Sequence, residues 1–377
     1  MNLKKLLSLK NNHVLIILIT WALVQTFLLY KYGIITNNEA VKYIREANNF
    51  SAEKSFSENK YIFYSVYIFV HVFFKWFGFE VTGVYLFQLL FNLLALICFY
   101  KTLLFISKKI TVAFWGSLLL VICFPWQYWT ICLYTESFFC SLIIILTYCL
   151  FGNNKPICRY VFAPLLLIAL IFSRPTGILL IPASMLLTFH QLVAYKKKAL
   201  AFLFATCVVV VFLSTFYYEM NSAASYNFIK PFVEHNIICD VPDSAFTSTN
   251  RIYSGNIGGV ISFIKDNPVT FGGLCVSRFI SFWSLTRSFY TSMHNWLLRL
   301  FFYPLYLFAI IGLIQQLNKH KQMAIFCLIT IIVFTLSVML TCDEWSSRFI
   351  MPILPLVIFL AVNGIFATAG KFTRSNI

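Results

Sequence analysis

Apolar residues in this chain arrive in separate stretches of about 16 to 23, and a helix rising 1.5 Å per residue needs about 20 to cross roughly 30 Å of hydrocarbon. A soluble fold has no way to cover so many such runs. Composition agrees: 60% of the 377 residues are hydrophobic and 11% are charged. An average soluble domain carries about a quarter charged residues, and the mean hydropathy here is +0.81. The chain therefore reads as an all-α polytopic membrane protein, a single transmembrane domain over 1–377. The run from Val14 to Tyr30 follows a basic leader with no small-residue cleavage site, so it is expected to stay as the first span.

Charge sets the expected topology. With basic flanks on the cytoplasmic side, ten spans fall near 14–31, 82–100, 111–127, 135–151, 160–173, 176–193, 199–218, 296–317, 322–340 and 349–369. Both termini then face the cytoplasm. The inner side collects Lys4, Lys5, Lys10, Lys101, Lys108, Lys109, Lys155, Arg159, Lys196 to Lys198, Lys319, Lys321, Lys371 and Arg374, and all thirteen acids lie outside. That distribution explains most of the net charge of +16, which leaves nucleic-acid binding without support. Counting Tyr61 to Phe79 as a further span would move Lys108, Lys109 and Lys196 to Lys198 outside. This aromatic segment, interrupted by His71, Lys75 and Trp76, is therefore expected to lie along the outer interface.

Two outward segments are longer than ordinary connections, 32–80 with its interfacial helix and 219–295 with an amphipathic stretch at 271–290. The apolar face of that stretch is expected to rest on the membrane, with Arg278 and Arg287 turned to water or lipid phosphate. Most of the eleven cysteines sit inside predicted helices, where cysteine acts as a small hydrophobe. No CxxC or Cys/His spacing points to a metal. Cys239 and Cys342 alone look both outward-facing and loop-borne, which leaves a disulfide between them open.

Ionisable groups near a span end are either headgroup anchors or parts of a site. Four places qualify, all on the outer side by charge: Glu39 with Tyr43, Glu136 in YTES, Arg174 in SRPTG, and Asp343, Glu344 and Arg348 in CDEWSSRF. Each also has a plainer reading. Glu39, in step with Tyr43 and Ala47, would be a first-turn helix acid. Glu136 would be the buried partner of a base, and Arg174 and Arg348 would snorkel to the interface.

The order EAVKY, an aromatic segment ending KWFG, LYTESFF, SRPTGILLIP and SSRFIMPILP resembles the GT-C membrane glycosyltransferases, which use lipid-linked sugar donors. That superfamily includes protein O-mannosyltransferases, aminoarabinose transferases and GPI mannosyltransferases. The similarity in motif order runs over about residues 36–367, and YTESFF with SRPTG is its most specific pair. The family carries an acid in the first outer loop, usually Asp. Here that position is Glu39, whose extra methylene moves the carboxylate by about 1.5 Å.

The resemblance implies a GT-C fold with a large first outer loop and an inverting transfer from a polyprenyl-phosphate sugar. Glu39 would be the catalytic base, and Tyr43, Glu136, Arg174 and Arg348 would bind substrate. Some relatives use a divalent metal, so Asp343 and Glu344 would be the oxygen ligands for Mg or Mn. The acceptor would be a cell-envelope glycan, lipid or protein at the outer face of a bacterial cytoplasmic membrane, since richness in Lys, Asn, Ile and Phe points to an AT-rich bacterial genome. Two other classes share these features. A lipid-linked oligosaccharide flippase would need polar pairs at mid-membrane. An O-antigen polymerase or ligase would use outer-loop groups such as Arg251, Arg278, Arg287 and His294.

Overall fold

A computed structural model describes residues 3–194, 229–241 and 252–374. The span expected at 199–218, the Lys196 to Lys198 run, Arg251 and much of the 219–295 segment lie outside the described residues. The described residues are helical, with two isolated β-bridges and no strands. Four helices are long and apolar enough to cross a membrane: the Asn12–Tyr32 part of α1 (Leu3–Tyr32), α4 (Glu80–Ser107), α13 (Ser292–Lys319) and α14 (Lys321–Met339). Shorter apolar helices occupy Ile110–Ile122, Thr135–Phe151, Cys158–Ile171, Pro175–Phe189 and Leu354–Ala369. The chain is thus a membrane helical protein.

Proline breaks two of the expected spans. The segment at 111–127 splits into α5 (Ile110–Ile122) and α6 (Phe124–Tyr128), because Pro125 has no N–H to continue the ladder. The last helix, α15 (Leu354–Arg374), starts five residues later than expected. Pro352 and Pro355 exclude helix before it, and Pro355 suits its first turn. The segment 61–79 forms a 3₁₀ turn (Asn59–Tyr64) and then α3 (Ser65–Trp76). Twelve α-helical residues rise about 18 Å, too little to span.

The chain divides into two compact units. The first, comprising Met1–Leu180, Tyr306–Ala324 and Leu354–Ile377, is centred on α7 (Thr135–Phe151), in which nearly every side chain is buried. Around α7 pack α4 and α8 (Ala163–Ile171), while α5 lies against α1, α4 and α15. Buried amides pin α1 within this unit. Trp21 donates to Asn92 of α4 at 2.8 Å, and Gln25 donates to Gln127 of α6 at 2.6 Å while accepting from Thr130. A Cβ on Gly312 would run into the carbonyl of Leu360, and one on Gly364 into that of Phe308, so α13 and α15 cross through glycine backbones.

The second unit comprises Ile181–Leu305 and Ile325–Ile353. It holds α9 (Ile181–Ala194), α10 (Lys230–Val233), α11 (Ile257–Asp266) and α12 (Pro268–Ser284). Ile229, Phe232, Phe263 and Leu274 form its buried cluster. The helix over 271–290 is α12, ending at Ser284; its apolar face is left exposed, but the arginines expected at water or lipid phosphate are not. Val276, Phe279 and Ile280 are exposed, whereas Arg278 is fully buried and Arg287, just beyond the helix, nearly so. A guanidinium can be buried there because backbone carbonyls and a carboxylate surround it.

Candidate functional site

In the first unit, local backbone pairing brings the 32–80 segment to the start of α7. Ile35 N donates to Ile131 O at 2.8 Å and Leu133 N to Ile35 O at 3.0 Å, which sets the chain before α2 (Glu39–Glu53) beside the chain before α7. Tyr134, at the end of that pairing, lies near the Asn38 side chain and the Glu39 backbone. Asn38, in the left-handed region at φ 51°, turns the chain into α2, and Glu39 opens that helix. The helix N-terminus favours its negative charge.

Spacing within α2 then orients its residues. Ala40, Tyr43, Glu46 and Ala47 are buried, and Glu39 stands at the edge of that face with its side chain 26% exposed and Lys42 Nζ at 2.8 Å. Glu46, which the sequence did not single out, is fully buried and accepts from the Ser57 amide and hydroxyl at 3.0 and 2.6 Å. It fastens the turn after α2.

Glu136 lies in the first turn of α7, and Arg174 follows α8. Arg174 Nη1 donates to Glu136 Oε1 at 2.8 Å with both side chains buried. The SRPTG sequence is what makes this turn. Pro175 stops the helix, Gly177 N bonds to Arg174 O at 2.8 Å, and a Cβ at Gly177 would strike the Leu170 carbonyl. The plainer reading of Glu136 fits, since Arg174 is the base it partners; Arg174 itself is buried in the pair and does not snorkel to the interface.

Tyr43 is where these groups meet. Its hydroxyl is buried in the field of Glu136, Glu39 and Arg174; burial first, then the nearby Tyr64 and carboxylates, push its pKa well above 10. Its ring lies 5.6 Å from Tyr64 and edge-on to Tyr67 at 5.4 Å. Tyr67 in turn donates to Gln88, whose amide donates to the carbonyls of Thr130 and Cys132 at 3.2 and 3.0 Å. His71, edge-on to Tyr67 at 5.0 Å, is buried, and burial alone lowers its pKa to about 4. These supports were not legible beforehand: Tyr67 lay within an aromatic run that His71 interrupts, and Gln88 carried no signal of its own.

Asp343, Glu344 and Arg348 belong to the second unit. Asp343 accepts from Arg287 at 2.6 Å and Ser281 at 2.8 Å, and burial raises its pKa against the opposing pull of Arg287. Glu344 pairs with Arg348 at 3.1 Å and accepts from the Ser346 amide at 2.9 Å. These carboxylates are committed to guanidinium and hydrogen-bond partners, and no group of three His, Cys, Asp or Glu able to hold a metal occurs among the described residues. Arg278, expected at water or lipid, instead donates to the carbonyls of Asn236, Met339 and Pro231 at 2.9, 3.2 and 2.8 Å and lies over the Phe232 ring. Burial lowers its pKa to about 10. Arg287 also donates to the carbonyls of Trp345 and Glu344. Neither models of known protein families nor curated proteins match this sequence.

Proposed function

We propose that this chain is an inverting glycosyltransferase that moves a sugar from a polyprenyl-phosphate donor to a cell-envelope glycan, lipid or protein acceptor. It would work at the outer face of a bacterial cytoplasmic membrane, with ten spans and both termini inside. The observation that carries the reading is the buried Glu136–Arg174 pair at the start of α7, with the chain that leads into Glu39 hydrogen-bonded beside it in the same unit.

In this reading the Glu39 carboxylate accepts the proton of the acceptor hydroxyl, whose oxygen bonds to the anomeric carbon. The anomeric C–O bond to the donor breaks in the same displacement, and polyprenyl phosphate leaves with the electron pair. Arg174, held in place by Glu136, would hydrogen-bond to the departing phosphate. Arg348 is a second candidate cation, held by Glu344. A polymerase or ligase reading would use Arg251, Arg278, Arg287 and His294; Arg278 and Arg287 are instead engaged with backbone carbonyls and Asp343.

The test is transfer from a panel of radiolabelled polyprenyl-phosphate sugars by purified protein. Wild type should transfer from one donor, and Glu39→Gln should lose about 10²- to 10⁴-fold in rate. Equal transfer by the variant removes Glu39 as base, and no transfer by wild type from any donor removes the class.

A further inference from the structure

We infer that Cys239 and Cys342 are joined by thiol–disulfide exchange on the oxidising side of the membrane, which makes the 229–241 segment and the 339–348 turn the extracytoplasmic face of the second unit. The inference is independent of the transfer reaction. The two cysteines are disulfide-bonded with Cα atoms 5.2 Å apart, although 103 residues separate them in sequence. Paired backbone holds them there: Cys239 N donates to Asp343 O at 2.7 Å and Asp343 N to Ile237 O at 2.8 Å. Arg278 ties the same two segments by donating to Pro231 and Asn236 on one side and Met339 on the other.

Compartment follows from thiol chemistry. Cytosolic reductants keep thiols reduced, so a lasting structural disulfide belongs to an oxidising compartment. The eight other cysteines among the described residues are free, and six of them are buried. Charge points the same way from separate physics. Helix α14 has 19 residues and a hydropathy of 2.3, enough to cross a membrane. Its last residue, Met339, lies next to the disulfide turn, and its first, Lys321, follows Lys319 and His320. Basic residues stay on the cytoplasmic side.

The chemistry balances with a dithiol–disulfide oxidoreductase as partner. The Cys239 and Cys342 thiols give up two protons and two electrons as their S–S bond forms, and the partner's disulfide is reduced to two thiols. Differential alkylation of full-length wild type in membranes tests the inference. Free thiols are blocked with N-ethylmaleimide in denaturant, the sample is reduced, and newly freed thiols are tagged with a polyethylene-glycol maleimide. Two tags should appear, mapping to Cys239 and Cys342 by peptide mass, and none in a Cys239→Ser/Cys342→Ser variant or in cells lacking their disulfide oxidase. Brief reduction of intact cells should expose both to a membrane-impermeant maleimide. Both cysteines found in the blocked pool would overturn the crosslink. Labelling confined to inverted vesicles would overturn the orientation.

Discussion

At the residue scale, the ion pair Glu136–Arg174 is the point of greatest electrostatic consequence, because neither charge reaches water. Removing one partner leaves the other uncompensated, so Glu136→Gln or Arg174→Gln should each cost about 3–5 kcal/mol. The double substitution should cost less than the sum, and a double-mutant cycle by denaturant unfolding in detergent would read the difference. A second residue acts through pH. His71 is held neutral by burial, with a pKa of about 4 against 6.5 unfolded. Between those values the unfolded chain binds the extra proton, so the His71 contribution is intact above pH 6.5 and is lost as pH falls towards 4. At 1.36 kcal/mol per pKa unit the loss approaches about 3 kcal/mol. Unfolding midpoints at pH 7 and pH 5 should diverge in wild type and converge in His71→Phe. Both residues were visible as polar interruptions of apolar sequence; what each one touches was not, since Glu136 and Arg174 are 38 residues apart.

At the element scale, helices pack where small residues let backbones approach. Gly312 of α13 and Gly364 of α15 do this in the first unit, each facing the other helix's main chain. Gly312→Leu has no low-energy rotamer that avoids the Leu360 carbonyl. It should lower stability by about 1–3 kcal/mol as the helices separate, seen as a fall in thermal midpoint in detergent. The apolar periods that built these helices were legible from hydropathy. Their breaks at Cys123 and before Leu354 could have been read from Pro125, Pro352 and Pro355, but hydropathy is blind to a missing N–H. The burial of Arg278 could not, because it is enclosed by carbonyls from 231, 236 and 339 that only tertiary structure brings near.

At the scale of the molecule, the Cys239–Cys342 disulfide closes a long loop, and closing about 100 residues restricts the unfolded chain substantially. Reduction should lower stability by about 2–4 kcal/mol, measured as a drop in thermal midpoint with reductant that is absent in the Cys239→Ser/Cys342→Ser variant. From the sequence alone came the membrane class, the helical architecture, and the outward charge partition that singled out Glu39, Glu136, Arg174 and the CDEWSSRF segment. Those follow from composition and period, which act locally and need no partner. Only the tertiary structure decided that Glu136 neutralises Arg174, that Tyr43 is buried beside both, that Asp343 serves Arg287 and that Cys239 meets Cys342. Each depends on a contact between distant segments, where burial strengthens charge and fixes geometry, and no local pattern encodes that.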